Sequence, residues 1–380
     1  MSINNVIHWN DAGAEQSAKW RSENGTLPPK RVIIADDRIK ADEAYRLACE
    51  GTALLWQGDF QNARQLLQAM ARRADEKPRK AKKSPATASE AFHLHRQAQA
   101  QRSRTLGMLL IPFNSDHSIP LRRAPDAQQA CKYVYGDAEQ PYITSLRGLQ
   151  GLIGAYEWRK NGIEVPSLAN RIYPHYGVFA PIRGEYVTLV ANTPLPKSLL
   201  TRSTAFDIGT GTGVLAAVLA QRGIKHIAAT DQDKRALECA RENLTRLTFN
   251  NQVEVVQADL FPPGRASLVV CNPPWIPARP SSPLEYAVFD PESQMLKGFL
   301  NGLSEHLEAD GEGWLIISDL AEHLGLRTRT ELLSTIESAG LQVIGKVDIK
   351  PHHPRVSDTS DPFHAARAAE ITSLWQLALK

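Results

Sequence analysis

From Thr204 onward the hydrophobic pattern settles into a regular alternation. Short apolar runs at Thr204–Ile208, His226–Thr230, Gln252–Val256, Ser267–Cys271, Trp314–Ser318 and Leu341–Val347 read as buried strands. Between them Val214–Gln221, Arg235–Leu247, Ser293–Leu307 and Thr328–Ala339 carry apolar residues at helical spacing. Strands that alternate with helices predict a mostly parallel sheet covered by helices on both faces. One further strand-like run, Ala369–Leu379 with Trp375, comes after a loop rich in Pro, His, Ser and Asp.

The first part of the chain has a different rhythm. Its first thirty residues are polar, broken by Gly25 and Pro28-Pro29, and are expected to be irregular. Ala41–Gln57 and Gln61–Ala74 carry apolar residues at helical intervals on either side of Gly58-Asp59, which predicts a helical hairpin. Ser89–Arg104, Ala127–Tyr135 and Ile143–Lys160 are predicted as further helices, and Leu106–Phe113 as a strand with Ile119–Arg122 returning beside it. A mainly helical auxiliary or substrate-recognition domain over residues 1–160 is therefore expected, with a basic linker near residues 75–88. A second domain is expected over residues 161–380.

The candidate chemistry lies at the strand ends of that second domain. Strand 204–208 contains Asp207 and runs into Gly209, Gly211 and Gly213, which gives strand, glycine loop and helix. Position 214 is Val, so the dinucleotide spacing G-x-G-x-x-G is not met and a NAD site is disfavoured. The second strand ends in Asp231, from where a carboxylate can accept both hydroxyls of a ribose. The third leads to Asp259 and Leu260, placed to meet an adenine amine. After the fourth comes Asn272-Pro273-Pro274-Trp275. The Asn272 side-chain carbonyl and the Pro273 main-chain carbonyl can each accept one N–H of a planar NH2 group, and Trp275 offers a flat face for stacking.

Three acids at successive strand ends, the glycine loop and the N-P-P-W string together resemble the class I S-adenosylmethionine-dependent methyltransferases. Phe179-Ala-Pro-Ile-Arg183-Gly-Glu185 is similar to the P-R-x-x-T-E element of HemK-type glutamine N-methyltransferases, and Val288-Phe-Asp-Pro291 sits where that family has an E-P segment. The resemblance covers roughly residues 175–345, and Trp275 stands where HemK-type enzymes usually carry Tyr. It implies a Rossmann-like, doubly wound seven-stranded sheet with an antiparallel last strand. It also implies S-adenosyl-L-methionine as cofactor and a lid near Phe179, Arg183 and Glu185. The implied reaction is methylation of a planar NH2 of a macromolecule, a protein glutamine amide first and an exocyclic amine of RNA second. A non-catalytic cofactor- or RNA-binding module is the competing class.

Composition narrows the partners. The net charge of +3 is unevenly spread: residues 1–150 hold 22 Lys/Arg against 16 Asp/Glu, and the excess centres on Lys77, Arg79, Lys80, Lys82 and Lys83. That cluster is either a solvated linker or a contact to RNA of the translation apparatus. The four cysteines are far apart, form no C-x-x-C pair and read as small buried apolar residues. His352, His353 and His364 lack the spacing of a metal site, and His175 reads as a loop residue. No run approaches membrane-spanning length and no leader is evident, so a cytoplasmic protein is expected.

Overall fold

The computed structural model describes residues 5–76, 85–280, 285–352, 358, 359 and 361–380. The chain divides into two compact units, residues 1–86 with 90–157, and residues 87–89 with 158–380. The basic cluster at 77–83 lies outside the described residues, as does His353.

The first unit contains a six-stranded sheet that was not expected, although helices still outweigh its strands. In chain order it contains β1 (Val6–Asp11), β2 (Ala14–Trp20), β3 (Arg31–Ala35), α1 (Ala41–Cys49), β4 (Thr52–Trp56), α2 (Phe60–Asp75), α3 (Ala88–Leu106), β5 (Leu109–Phe113), α4 (Gln128–Tyr135), β6 (Tyr142–Ser145) and α5 (Leu146–Asn161). Six strands lie in the order β1-β2-β6-β5-β4-β3. The segment read as one helix over 41–57 is a helix and a strand. Gly51, at φ +80°, turns the chain, and all five residues of β4 are buried. A run buried on every side suits a central strand, not the single stripe of an amphipathic helix. Likewise β6 occupies the start of the helix expected at Ile143, and it pairs antiparallel with β5, the place foreseen for Ile119–Arg122. The hairpin β1–β2 escaped detection because Ile7 and Trp20 are its fully buried residues and the others face solvent to some degree.

In the second unit β7 (Ile163–Val165) and β8 (Asn170–Ile172) form a small antiparallel pair ahead of α6 (Glu185–Asn192). Then come β9 (Thr204–Ile208), α7 (Val214–Gln221), β10 (His226–Asp231), α8 (Lys234–Arg246), β11 (Val253–Gln257), β12 (Ala266–Cys271), α9 (Gln294–His306), β13 (Leu307–Ser318), α10 (Leu320–His323), α11 (Arg329–Ser338), β14 (Leu341–Ile349), α12 (His364–Ala369) and β15 (Thr372–Leu379). The seven strands lie in the order β11-β10-β9-β12-β13-β15-β14, with β15 antiparallel to both neighbours, in a mixed, mostly parallel Rossmann-like sheet.

Two apolar clusters hold this sheet, one on each face. On one side α6 and α7 pack Val187, Val190, Leu215 and Leu219 against Leu268, Val270 and Trp314. On the other, α9 and α11 pack Phe299, Leu300, Leu303 and Ile336 against Phe206, Val269 and Leu315. Each such side chain contributes about 1.5–3 kcal/mol on burial, which explains why β9 and β12 read as continuous apolar runs. Strand order reverses between β9 and β12. In open parallel sheets, the crevice at the carboxyl ends of the strands beside such a reversal is where ligands bind.

Candidate functional site

Asp207 anchors the loop after β9. Its carboxylate is buried and accepts from Thr210 Oγ1 at 2.7 Å and from the Ala216 amide at 3.0 Å, so it pins both ends of the glycine loop. Gly209, Gly211 and Gly213 have φ of +71°, +55° and +81°, in the left-handed region where side chains are strained. A Cβ on Gly213 would come within 3.2 Å of Ala240 Cα, whereas one on Gly211 would meet nothing within 4 Å. The first contact packs the loop against α8; the second leaves open space over the loop backbone, as a bound cofactor requires.

Asp231, at the end of β10, accepts from the Gly211 amide at 3.1 Å and from the Asp233 amide at 3.0 Å. The second strand-end acid therefore touches the glycine loop directly. Asp259 is exposed beyond β11. Leu260 beside it has φ +71°, and its carbonyl accepts from Thr230 Oγ1 at 2.5 Å. Asn243 of α8, which no sequence motif marks, is buried and donates to the Thr212 carbonyl at 3.0 Å, bracing the loop from behind.

Burial sets the ionisation of these acids. It pushes Asp207 up to about 6 and also raises Asp231. A carboxyl whose folded value lies above its ordinary one favours the folded state while protonated, and loses that advantage as pH rises from about 4 through about 6. For Asp207, raised from its ordinary value of about 4 to about 6, the difference corresponds to roughly 3 kcal/mol. Between pH 4 and pH 7 the ligand-free Asp207→Asn variant should therefore gain stability relative to the parent by up to about that amount. Urea unfolding at several pH values measures the difference, and parallel pH profiles would remove the charge from Asp207.

At the end of β12, Asn272 and Trp275 are joined: the indole Nε1 donates to Asn272 Oδ1 at 2.9 Å. The sequence suggested separate tasks for the two residues; the fold couples them. Pro273 is buried, and Pro274 and Trp275 are half-buried. The segment beyond is fixed by Asp290, which the sequence marks only as part of Val288–Pro291. Its amide donates to the Ile276 carbonyl at 2.9 Å, and its carboxylate accepts from the Met295 and Leu296 amides at 3.0 and 3.1 Å at the start of α9. Burial raises the Cys271 thiol well above its ordinary value, so it is no nucleophile.

The element ahead of α6 reaches the same place. Arg183 donates to Glu185 at 2.7 Å and to Glu370 at 3.0 Å, and its guanidinium lies over the Trp275 ring at 5.0 Å. Phe179 is exposed, with its ring 6.5 Å from that of Tyr186. Burial, reinforced by the charge of Asp207, raises the Tyr186 phenol. His175 is buried and not a free loop residue: its Nε2 is 3.2 Å from Glu242, and burial lowers its pKa. Cys131, Cys239 and Cys271 are buried, but Cys49, the last residue of α1, is exposed. Among the described residues there is no group of three His, Cys, Asp or Glu arranged for a metal, and no helix long and apolar enough to cross a membrane.

Comparison with known proteins meets this geometry. The family described as the methyltransferase small domain matches residues 169–336. A ribosomal protein L11 methyltransferase of Clostridium perfringens is 40% identical over 82 residues, 20% of this chain and 25% of that protein. A release factor glutamine methyltransferase of Vibrio cholerae is 34% identical over 137 residues, 32% of this chain and 47% of the relative. A tRNA1(Val) (adenine(37)-N6)-methyltransferase of Bacteroides fragilis is 32% identical over 164 residues, 39% of this chain and 67% of the relative. The chain thus spans a quarter of the first relative and about half of the second. With two thirds of the third aligned and the glycine loop open for the cofactor, the chain belongs to the S-adenosylmethionine-dependent methyltransferases that carry the methyltransferase small domain.

Proposed function

We propose that the protein is an N-methyltransferase whose acceptor is a planar NH2 group, in first place the exocyclic amine of an RNA base. The observation that carries the reading is the Trp275 Nε1 to Asn272 Oδ1 hydrogen bond at the end of β12. One lone pair of the Asn272 carbonyl is engaged by the indole, and the other remains for an acceptor N–H. The Pro273 carbonyl takes the second N–H, and the two prolines stiffen the backbone that presents it. In this reading Asp231 holds the ribose of the cofactor, Asp259 and Leu260 its adenine, and Asp207 with Gly209, Gly211 and Gly213 shapes the floor. Phe179, Arg183 and Glu185 line the lid.

Bound S-adenosylmethionine supplies an electrophilic methyl group. The protein's task is to place the acceptor nitrogen in line with it. An amine conjugated to a ring or carbonyl is a poor nucleophile because its lone pair is delocalised. Two fixed carbonyls that accept its N–H bonds favour the form in which positive charge builds on nitrogen.

Two observations favour a base. Arg183 lies over the half-buried Trp275 ring, and a bicyclic indole matches the area of a nucleobase. The relative of which the chain covers two thirds is named for adenine N6 methylation in tRNA. A base within a duplex has to be flipped out to reach the pocket. A glutamine amide of a translation-related protein is the second reading, supported by the release factor relative and the Phe179–Glu185 element.

Transfer of a labelled methyl group into lysate from a strain lacking the gene, with subsequent nuclease or protease digestion, distinguishes the two. Label lost to protease alone would overturn the base reading. The cluster Lys77, Arg79, Lys80, Lys82 and Lys83 is the proposed phosphate contact. Neutralising all five should weaken binding to ribosomal RNA and flatten its dependence on salt, with cofactor affinity unchanged. Identical salt slopes for parent and variant would make the cluster a solvated linker.

A further inference from the structure

Arg183 has more negative charge around it than it needs. Its side chain is largely buried, and Glu185 already neutralises it through an Nε bond of 2.7 Å. Yet Glu370, whose side chain is fully buried, receives Nη2 at 3.0 Å. Glu370 is itself held: Ser318, the last residue of β13, donates its hydroxyl to the same oxygen at 2.6 Å. The neighbouring Ile371 amide donates to Asp319 at 2.7 Å. The other oxygen, Oε2, is buried and has no hydrogen-bond partner among the described residues. A second buried carboxylate with one unsatisfied oxygen is a poor way to gain stability. It is a good way to fix a plane: two bonds to different edges of a guanidinium define its orientation, and the guanidinium so held lies over the Trp275 ring, 5.0 Å from its centroid.

We propose that Glu370 is a positioning residue for the methyl acceptor, holding Arg183 flat against Trp275 and so fixing the aromatic surface on which the acceptor stacks. The proposal rests on the reading that Trp275 faces the acceptor. Glu370 lies between α12 and β15, outside residues 169–336, so it brings the far end of the chain into the site. The chain Ser318, Glu370, Arg183, Trp275, Asn272 is continuous through hydrogen bonds and one cation–ring contact.

The test uses the full chain with 5-fluorotryptophan in place of its seven tryptophans. The Trp275 resonance in the fluorine spectrum is identified by its loss in Trp275→Phe. Glu370→Ala should shift or broaden that resonance and leave the others in place, whereas Glu370→Gln, which keeps an oxygen for Arg183 and Ser318, should stay close to the parent. With in vitro transcribed, unmethylated ribosomal and transfer RNA as acceptors, Glu370→Ala should raise KM about tenfold, a loss of roughly 1.4 kcal/mol, with a smaller change in kcat. S-adenosylhomocysteine affinity should stay within about twofold of the parent, well under that loss. If Glu370→Ala does not fold, Arg183→Lys carries the same expectations for the Trp275 resonance and KM, because an ammonium has no plane to hold against the ring. An unmoved Trp275 resonance overturns the proposal, and so does a moved resonance with parental KM. A parent protein that leaves the RNA unmethylated overturns the base reading instead, and the resonance still decides whether Glu370 fixes Trp275.

Discussion

Asn272→Ala is expected to slow methyl transfer by about two to three orders of magnitude while leaving S-adenosylmethionine affinity near the parent value. In the proposed reading the variant removes a carbonyl that faces the acceptor nitrogen, and among the described residues no hydrogen bond ties Asn272 to the glycine loop, whose contacts run through Asp207, Asp231 and Asn243. It also releases the Trp275 N–H, so Trp275→Phe is the necessary companion: it removes the same bond from the other side and keeps the amide. If the bond were only a packing detail, the two variants would lose activity equally and modestly. Single-turnover rates at saturating cofactor measure the step, and full activity in Asn272→Ala would falsify the NH2-acceptor mechanism.

Asp231→Ala should weaken S-adenosylmethionine binding by roughly 1–3 kcal/mol, about five- to 150-fold, through loss of a charged acceptor for the ribose hydroxyls. The Gly211 amide, held by Asp231 at 3.1 Å, loses its partner in the same stroke, so part of the effect comes from a looser loop. Asp231→Asn separates the contributions, since it keeps an acceptor for Gly211 and loses the charge. Burial raises the pKa of Asp231, so parental affinity should begin to fall on acidification sooner than an exposed aspartate would allow. Calorimetry across pH reads both effects, and unchanged affinity in Asp231→Ala would remove this residue from the cofactor site.

Most of the catalytic half was legible in the sequence because its central strands are buried on both faces. Thr204–Ile208 and Ala266–Cys271 then read as unbroken apolar runs, and a glycine or proline punctuates the end of each. The same physics misled the reading of the first unit. Thr52–Trp56 is as apolar as those strands, but it sits close behind α1, so its residues also satisfied a helical spacing. Strand β2 was hidden for the opposite reason, as its side chains are mostly exposed and polar. Asp290 and Asn243 were missed as structural agents because their bonds are to main-chain groups, which no side-chain pattern announces. Glu370 was missed because its partners, Arg183 and Ser318, lie far away along the chain and meet it only once β15 is laid beside β13.

The indole of Trp275 has a consequence for how the site tells one end of an amide from the other. A carboxamide rotated by half a turn about its last bond keeps nearly the same shape but exchanges oxygen for nitrogen. An indole N–H donates and never accepts, so it tolerates the Asn272 oxygen beside it and rejects the Asn272 NH2. Trp275 thereby fixes which end of the Asn272 amide is which, and under the proposed reading an incoming amine would meet a site already oriented to accept its hydrogens.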